Sequence, residues 1–475
     1  MSRIRRTDNI RPCAGLQYLK GENMIIKNQI ITAGITDITS EGSGVCRADG
    51  FAVFVPDTAV GDVAEIRIVK VLKSYAYGIV EKLLTPSPDR TAPECPMYKK
   101  CGGCIFQHIS YEAECRIKSD IVRNAFQRIG GLSPEYDDFI AADSHSRYRN
   151  KAQYPLAVQD GKAVCGFYAK RSHRVVPVSD CRLQPEVFAD IVSCSLDYIN
   201  SHKLSVYDEA THTGILRHIY IRRGYHSGQI MVCFVARKDY SRQLTQLAHI
   251  LHHEIENVCS VVMNINPDDT NVILGKKWVN LFGEDTITDT MCGNRILISP
   301  PSFYQVNTPQ AEKVYAKALE YAAPAPDDIL ADLYCGMGTI GLSMADSVSS
   351  LVGVEIIPEA VEDAKQNAAA NEIYNAEFHC GDAGKVFAKL RKDGCSPDII
   401  VVDPPRKGCS AETLQVIVNP APKKIVMISC NPSTAARDCK WLTENGYSLE
   451  KVCGADFFPR TAHVECVVLM SRQKS

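Results

Sequence analysis

The chain has 475 residues, of which 45% are hydrophobic and 23% are charged, a composition typical of a globular protein with two or three domains. Its formal net charge of −2 at pH 7 excludes indiscriminate binding to polyanions, so any nucleic-acid contact must come from local patches. No apolar stretch is as long as a membrane span, and no secretory leader is recognisable. We therefore expect a cytoplasmic protein without membrane contact.

The N-terminal part of the chain is predicted to hold a tail and a small β domain. Residues 1–23 are polar and show no periodicity, which predicts a poorly ordered tail, and Met24 can serve as a start. Residues 24–85 contain short β-like runs separated by glycines, and this pattern predicts a small barrel. The Pro-rich stretch at 85–93 reads as a linker.

The middle of the chain is predicted to form a mixed α+β domain over residues 86–300. It starts with a cysteine cluster at 94–115 and a helix at 111–130, which we expect to pack on the domain that follows. From 140 onward, β-like runs alternate with a helix near 185–202. The twenty cysteines of the chain stand mostly singly in apolar runs, which is typical of a reducing compartment.

Residues 301–475 are predicted to form a doubly wound α/β domain, because apolar strand candidates alternate there with helical patterns. The last two strands have no helix between them and are expected to form an antiparallel hairpin. The strand candidates are Ile329–Tyr334, Leu351–Ile356, Ala376–Cys380, Ile399–Asp403, Ile425–Cys430, Tyr447–Val452 and Val464–Met470. In such a domain, ligands bind at the carboxyl ends of the strands.

A glycine-rich turn follows the first of these strands, at 332–338. It is compatible with an ordinary strand-to-helix turn, with a dinucleotide site, or with a site for an adenosine that carries a cationic tail. The spacing Gly-x-Gly-Thr lacks the full dinucleotide fingerprint. Glu355 ends the second strand, where its carboxylate can accept both ribose hydroxyls, and Asp382 after the third can meet the adenine amine. These acids favour S-adenosylmethionine over NAD.

Reactive side chains also stand at the mouths of three later strands. Cys430 ends one apolar run, Asp403 ends another, and Glu465 opens a third. Although a cysteine at a strand end is more often a packed core residue, a thiol beside two acids at one sheet edge indicates covalent catalysis.

Cys95, Cys101 and Cys104 have the spacing of metal ligands. With a distant fourth thiol they can satisfy either tetrahedral zinc or a [4Fe–4S] cluster, and spacing alone does not separate the two.

Two stretches combine positive charge with aromatic rings, a pattern that suits phosphate contact and stacking on unpaired bases but is also typical of a solvated basic face. The first runs from 147 to 174 and contains Arg147, Arg149, Lys151, Lys162, Lys170, Arg171 and Arg174, with Tyr148, Tyr154, Phe167 and Tyr168. The second contains Arg217, His218, Arg222 and Arg223, with Tyr220 and Tyr225.

Taken together, five separated motifs resemble the RNA uracil-C5 methyltransferases. They are Ser299–Asn307, Asp332–Gly336, Asp403–Arg406, Ser429–Pro432 and His463–Glu465. The runs Glu41–Val45 and Phe54–Pro56 look like a TRAM domain. Cys95, Cys101, Cys104 and Cys181 look like the iron–sulfur ligands of the RlmD/RlmCD branch, which modifies 23S ribosomal RNA. The resemblance extends from about residue 28 to the end.

This resemblance implies a Rossmann-like S-adenosylmethionine-dependent methyltransferase domain, an OB-like TRAM β-barrel and a central iron–sulfur domain. It implies that Cys430 is the nucleophile and Glu465 the general base, with a weaker assignment of Arg406 to the enolate or a phosphate. Gln305, Tyr334, Glu355 and Asp403 would line the methyl-donor pocket. A [4Fe–4S] cluster would be held with Cys181 as fourth ligand, and Cys115, Cys165 and Cys194 are the alternatives.

The implied reaction explains the residue types. Uracil C5 is a poor nucleophile until a thiolate adds to C6, after which C5 can take a methyl group and a base can remove its proton. The target uridine of ribosomal RNA must then be unpaired or flipped out. We expect the enzyme to be a monomer.

Three other functions are compatible with parts of the sequence. The Asp-Pro-Pro-Arg motif resembles the loop of amino-methyltransferases, but those enzymes have no use for the pair Cys430 and Glu465. A radical-type tRNA methylthiotransferase would also join an iron–sulfur site to a TRAM domain. A non-enzymatic, iron–sulfur RNA-binding regulator is the third.

Overall fold

The computed structural model describes residues 25–473 and divides them into two compact units. The first comprises residues 25–37 and 44–87, and the second comprises 38–43 and 88–473. The predicted tail and Met24 lie outside the described residues. Since the central and C-terminal parts of the chain fall into one unit, the predicted boundary at residue 300 stays a prediction.

The first unit is built around a six-stranded sheet in the order β1-β5-β6-β4-β3-β2. Alternate residues of the long fifth strand, Ala64, Ile66 and Ile68, are fully buried, as the period of a half-buried strand requires. The strands are β1 (Ile30–Gly34), β2 (Asp37–Ile38), β3 (Gly44–Ala48), β4 (Phe51–Val55), β5 (Val63–Val71) and β6 (Tyr75–Thr85). The β-rich character is confirmed, but no pairing among the described strands closes the sheet into the predicted barrel.

Helix α1 (Tyr111–Asn124) starts where the Ser110 hydroxyl accepts a hydrogen bond from the Ala113 amide, and it continues as a π-helical turn over Ala125–Gly130. Gly131 ends it in the left-handed conformation (φ 66°), which glycine adopts without strain. The predicted helix at 111–130 is thus confirmed.

The central sheet of the second unit has seven strands in the order β10-β9-β8-β11-β12-β13-β14. Its pairs are antiparallel except β12 with β13, which are joined by a helix. After the short β7 (Glu135–Tyr136), its elements are β8 (Lys151–Gln159), β9 (Lys162–Tyr168), β10 (Val175–Pro177), α2 (Val187–Ser201), β11 (Leu216–Arg223), β12 (Ile230–Ala236), α3 (Ser241–Glu254), β13 (Val258–Ile265) and β14 (Lys277–Gly283). The hairpin β15 (Ile287–Met291) and β16 (Asn294–Ile298) follows.

The C-terminal sheet has eight strands in the order β19-β18-β17-β20-β21-β23-β22-β7. Strands β17 to β21 are parallel, and β23 is antiparallel between β21 and β22. The elements are α4 (Thr308–Ala322), β17 (Ile329–Leu333), α5 (Thr339–Leu342), a 3₁₀ turn (Ala345–Ser347), β18 (Ser350–Glu355), α6 (Pro358–Ala370), β19 (Ala376–Cys380), α7 (Ala383–Lys392), β20 (Ile399–Val402), α8 (Ala411–Val418), β21 (Lys424–Ser429), α9 (Pro432–Glu444), β22 (Tyr447–Ala455) and β23 (Glu465–Arg472).

This arrangement confirms the doubly wound domain and the terminal hairpin. Hydrophobic cores lie on both faces of the sheet, and strand order reverses between β17 and β20, where doubly wound folds bind their ligands. The sequence did not predict that β7 would extend this sheet by pairing in parallel with β22. Over residues 25–473, no helix has both the length and the apolarity of a membrane span.

Candidate active site

A pocket of about 1,230 Å³ opens at the carboxyl ends of the parallel strands. Strand register brings these ends together, since Leu333 on β17 pairs with both Val354 on β18 and Val402 on β20. The lining contains all six residues assigned to catalysis or the methyl donor, and also Arg406. The six are Gln305, Tyr334, Glu355, Asp403, Cys430 and Glu465.

Cys430 and Glu465 are neighbours at adjacent strand ends. Ser429 on β21 pairs with Cys466 on β23 in antiparallel register, so the residues one step beyond lie opposite each other. The thiol-bearing residue is half-buried, whereas Glu465 is buried. Directly after the thiol, the Asn431 side chain caps α9 by accepting a 3.1 Å hydrogen bond from the Ser433 amide. The strand end and the helix cap together fix the position of the cysteine.

The charges of the pocket are coupled. Burial raises the pKa of the Cys430 thiol to about 11, and the carboxylates of Glu465 and Asp403 add to this rise while Arg406 opposes it. Burial, with a contribution from Asp403, raises the pKa of Glu465 to about 8, and Arg406 again lowers it. Burial raises the pKa of Asp403 to about 7. A base with a pKa close to neutrality is suited to proton transfer at physiological pH.

His463 contacts Arg406 from the loop before β23. The guanidinium Nη2 lies 3.1 Å from the ring Nδ1 and 3.3 Å from Nε2. Burial and the neighbouring Arg406 lower the pKa of His463 to about 4, so its ring is neutral and can accept a hydrogen bond from the guanidinium. His463 was recognisable in the sequence only as part of the His463–Glu465 motif, without a role of its own.

The glycine-rich turn forms the opposite end of the pocket. Tyr334 and Gly336 adopt left-handed conformations, with φ of 70° and 55°. A Cβ atom on Gly336 would meet nothing within 4 Å, so the backbone there borders open space. The buried Asp332 carboxylate accepts a 2.8 Å hydrogen bond from the Gly341 amide, which fastens α5 to β17. The turn thus gives a ligand close access to the backbone.

Glu355 is held rigidly beside this turn. Its Oε2 accepts a 3.1 Å hydrogen bond from the Gly336 amide, and its Oε1 accepts from the amides of Ile356 and Ile357 at 2.8 and 2.9 Å. Both isoleucine side chains are exposed, at 58% and 51%, and both line the pocket together with Asp382. The fixed carboxylate of Glu355 fits the ribose of an adenosine. The two isoleucine side chains fit its base, and Asp382 fits the amine of that base.

The central sheet holds the segment that carries Gln305. The Asn150 Nδ2 donates to the Gln305 carbonyl at 2.8 Å, and the Asn150 amide donates to the Val306 carbonyl at 2.8 Å. Arg222 Nη1 donates to the Ser299 carbonyl at 3.0 Å, and its Nη2 donates to the Ser302 carbonyl. Asn150 lies 155 residues away from Gln305, and its role was not predicted from the sequence.

Several further residues of the pocket were also missed. Phe303, whose side chain is 62% exposed, stands two residues before Gln305, and Lys276 and Trp278 approach from the central sheet. Phe457 and Phe458 also line the pocket. Adjacent aromatic residues just before a catalytic motif were an available signal, whereas nothing in the sequence placed Trp278 here.

The four predicted metal-ligand cysteines line one separate cavity of about 270 Å³. Its lining holds Cys95, Cys101, Cys104 and Cys181, and within the described part of the chain none of the three alternative thiols joins them. Gly102 donates its amide to the Tyr168 carbonyl at 2.9 Å, and a Cβ at this position would lie only 3.0 Å from that oxygen. A glycine thus lets the Cys101–Cys104 loop approach the central sheet.

Burial and neighbouring thiols raise the pKa of two cysteines of this cavity. Burial raises the pKa of Cys104 to about 12, a hydrogen bond from Gln107 opposes this rise, and the neighbouring thiols Cys181, Cys101 and Cys95 contribute to it. Burial raises the pKa of Cys181 to about 11, with the same kind of contribution from Cys101 and Cys95. A bound cation would reverse this effect, because metal ligation requires thiolates. Within residues 25–473, however, no three or more His, Cys, Asp or Glu side chains are arranged so that they could hold a metal ion.

The second basic patch predicted from the sequence is wrong for four of its six residues, whereas Arg223 is half-buried and Tyr225 is exposed. Arg217, His218 and Arg222 are each less than 5% exposed, and Tyr220 is buried as well. Arg217 donates to backbone carbonyls at Asn266 and Asp268 instead. Because both faces of β11 are buried, its charged side chains point into the protein. The charge and aromatic content of the sequence do not reveal this burial. In the first patch, Tyr148 and Tyr154 are buried, while Lys162, Lys170, Arg171 and Arg174 are exposed.

The comparisons with known proteins agree on a family. The model of the family described as tRNA (uracil-5-)-methyltransferase matches residues 111–473, and the TRAM domain model matches residues 27–80. An RNA methyltransferase of Bacillus cereus is 42% identical over 94% of this chain and 97% of its own length. Another, from Clostridium tetani, is 39% identical over 95% of this chain and 98% of its own length.

A solved structure resembles nearly the whole chain. It is the tRNA (uracil-54, C5)-methyltransferase of Pyrococcus abyssi in complex with S-adenosyl-L-homocysteine, which is 25% identical and has a TM-score of 0.74. The match covers 93% of this chain and 100% of that one. The chain therefore belongs to the tRNA (uracil-5-)-methyltransferase family of RNA methyltransferases and carries a TRAM domain.

Proposed function

We propose that this protein uses S-adenosylmethionine to methylate C5 of a uridine in 23S ribosomal RNA, giving 5-methyluridine. The observation that carries the proposal is the strand register that sets Cys430 opposite Glu465, in the lining of a pocket that Asp403 and Arg406 also line. A thiol and a buried acid of raised pKa, side by side, suit addition to a ring followed by proton removal. Methyl transfer to an amine would use neither group, and the same pair argues against a radical methylthiotransferase.

In the proposed reaction, the Cys430 thiolate forms a bond to C6 of the uracil, and the electron pair of the C5–C6 double bond moves into an enolate. The bound methyl donor supplies an electrophilic methyl group to C5. Glu465 then takes the C5 proton, the C5–C6 double bond re-forms, and the bond between sulfur and C6 breaks. Arg406 lies where it can oppose the negative charge of the enolate.

The pKa shifts of the pocket set a condition on this reaction. With a thiol pKa of about 11 and a carboxyl pKa of about 8, both groups hold their protons at neutral pH. A cationic ligand in the pocket lowers both values, because an opposite charge favours the ionised forms. The donor's own positive charge is therefore expected to help activate Cys430, so binding and activation are linked.

The methyl donor is assigned to the end of the pocket near the glycine-rich turn. Glu355 would hold the ribose hydroxyls, Asp382 the adenine amine, and Tyr334 and Gln305 the remainder, with Asp403 between the donor and the uracil. The S-adenosyl-L-homocysteine bound to the Pyrococcus abyssi enzyme supports this cofactor class.

The RNA substrate is supported by the TRAM domain and by the exposed basic residues Lys162, Lys170, Arg171 and Arg174. Since C5 and C6 must both be reached, the uridine is unpaired or flipped out of its stack. Ribosomal RNA is proposed because the four-cysteine set resembles that branch of the family. Transfer RNA is the second candidate, because the Pyrococcus abyssi enzyme acts on tRNA. We further propose a cytoplasmic monomer.

The cysteine cavity is proposed to hold a [4Fe–4S] cluster on Cys95, Cys101, Cys104 and Cys181. The four thiols line one cavity and are the donor type that such a group takes, and when bound it would supply structural cross-linking of the 95–104 loop to the 181 region. The proposed reaction transfers no electrons, so the role is structural. Zinc would satisfy the same thiols, and metal analysis distinguishes the two.

The proposal is tested by a methylation assay on 23S ribosomal RNA and on transfer RNA, with mapping of the methylated uridine. The Cys430→Ala variant is expected to lose activity by about 10⁴-fold or more, as in other enzymes that lose their nucleophile. Cys395→Ala, which changes a half-buried cysteine away from the pocket, is the matched control and should keep full activity. Retained methylation by Cys430→Ala would end the thiolate mechanism, and methylation of transfer RNA alone would replace the proposed substrate by the second candidate.

A further inference from the structure

The loop at 456–464, between β22 and β23, connects directly to the proposed base. It contributes Phe457 and Phe458 to the wall of the pocket, and His463 near its end contacts Arg406. Glu465 follows at once as the first residue of β23. A shift of this loop would therefore move the carboxylate that has to meet the C5 proton.

A fully buried ion network holds the beginning of the loop. The Lys118 Nζ on α1 lies 2.7 Å from Glu114 Oε1, 2.7 Å from Asp456 Oδ1 and 3.1 Å from the Phe458 carbonyl oxygen. The side chains of Lys118, Glu114 and Asp456 are all 0% exposed. These three acceptors use all three protons of the ammonium group, so its position is fully determined.

Arg460 holds the middle of the loop in an unusual conformation. Its φ of 70° is left-handed, which costs energy in a residue other than glycine and persists only where the surroundings enforce it. The Arg460 amide donates to Glu114 Oε1 at 2.7 Å, and its guanidinium Nη1 lies 3.5 Å from Glu114 Oε2. Glu114 thus joins the helix to two points of the loop, through Lys118 and through Arg460.

The carbonyl of Arg460 faces the cysteine loop. It accepts hydrogen bonds from the amides of Ile105 at 2.8 Å and Phe106 at 3.1 Å, the two residues that follow Cys104. The Tyr148 hydroxyl adds a 3.0 Å hydrogen bond to the carbonyl of Pro459. The loop is therefore held from one side by α1 and from the other by the segment that carries the metal-ligand candidates.

We propose that Lys118, Glu114, Asp456 and the backbone of Arg460 form a positioning clamp, which sets Glu465 for removal of the C5 proton and transmits the state of the cysteine cavity to it. The clamp rests on the proposed function. Buried ion pairs contribute little net stability compared with hydrophobic replacements, but they can specify one arrangement. Precise placement is what the last step needs, because a displacement of about 1 Å can slow catalysis roughly 100-fold.

The clamp is tested with Glu114→Ala, which removes the acceptor shared by Lys118 and Arg460. Its kcat is expected to fall about 10- to 100-fold, while KM for RNA stays within about twofold. Because proton removal is the slowed step, a covalent protein–RNA species should accumulate on ordinary uridine RNA. Glu114→Gln retains an acceptor oxygen and should restore most of the rate. Asp120→Ala, on an exposed position of the same helix, should behave as wild type.

Hydrogen exchange of the peptide covering 456–464 provides a readout independent of activity. Exchange should become faster in Glu114→Ala, and also in the wild-type protein after its metal has been removed with a chelator under anaerobic conditions. If Glu114→Ala does not fold, the same exchange is measured on the triple variant Lys118→Met, Glu114→Gln and Asp456→Asn. This variant removes the buried charges of the three side chains together, so that none of these charges is left unpaired.

The outcomes separate the clamp from the function on which it rests. If the wild-type protein forms no covalent adduct with 5-fluorouridine RNA, the proposed function fails and the clamp with it. If the wild type forms the adduct but the folded variant turns over at the wild-type rate without accumulating a covalent species, only the clamp is overturned. Unchanged exchange at 456–464 after metal removal would overturn the link to the cysteine cavity.

Discussion

Two regions of the second unit use cysteine in opposite ways. At the carboxyl edge of the C-terminal sheet, one thiol, Cys430, faces two carboxylates and an arginine in a pocket of about 1,230 Å³. In the smaller cavity beside the central sheet, four cysteines line one space, and neighbouring thiols add to the raised pKa of Cys104 and Cys181. In the pocket, a single sulfur is accessible to a substrate. In the cavity, four sulfurs lie together, and a shared cation would favour their thiolate forms.

The difference shows that the residues around a cysteine determine its chemistry. Burial raises the pKa of Cys430 and of Cys181 to the same value, about 11, so neither is reactive by its own ionisation. Cys430 can be activated by positive charge that arrives with ligands, and a strand end gives it access. A bound metal cation would favour the thiolate form of Cys181, because metal ligation requires a deprotonated thiol.

Among variants that keep the Cys430 nucleophile, the largest effect is expected from Glu465→Gln, which keeps the shape of the base and removes its function. Methyl transfer to C5 would still occur, but the proton would stay, so turnover should fall by about 10²- to 10⁴-fold. A covalent protein–RNA species should persist on ordinary uridine RNA, visible on a denaturing gel. Glu450→Gln, an exposed glutamate on β22, is the control and should turn over normally. Wild-type turnover by Glu465→Gln would contradict the assignment of the base.

The cysteine cavity is tested by a matched pair of thiol changes. Cys181→Ser should lose most of its iron after anaerobic reconstitution with iron and sulfide, because one of four ligands is gone. Cys194→Ser changes a thiol outside the cavity and should bind iron as the wild type does. Iron per chain and visible absorbance measure the difference. Equal iron in both variants would show that Cys181 is not a ligand.

The smallest effect is expected from Arg406→Gln, and it appears in the pH profile. Arg406 lowers the pKa of both Cys430 and Glu465, and both groups must lose a proton to act. Without the cation, the rising part of the rate profile should move to higher pH by about 1 unit. Single-turnover rates measured from about pH 6 to pH 10 give this shift. Lys407→Gln is the exposed neighbouring control, and a profile that does not move would exclude this role for Arg406.

The pocket could be anticipated from the sequence because its residues follow local rules. Cys430 and Asp403 each end an apolar run, and the carboxyl ends of parallel strands meet at one edge. Residues that come from another part of the chain obey no such rule. Asn150 acts on Gln305 across 155 positions, and nothing in the local pattern of either residue signals the contact.

The β11 residues of the second basic patch were wrongly predicted for a different physical reason. Arginine and tyrosine have the same composition signature on a solvated strand and on a strand buried on both faces, and β11 is of the second kind. Arg222 therefore supports the segment before Gln305 instead of meeting RNA.

The β7 strand was not predicted because two residues form no period, and only their pairing with β22 defines them as a strand.

The most direct test of the central claim is to locate the covalent bond between protein and RNA. A 23S ribosomal RNA fragment with 5-fluorouridine at the target position cannot lose a proton from C5, so the adduct is trapped once the methyl group has been transferred. We predict that mass spectrometry will place the RNA on the peptide containing Cys430, and that Cys430→Ala will form no adduct. A bond to another residue, or methylation of the natural RNA without any trapped adduct, would contradict the account.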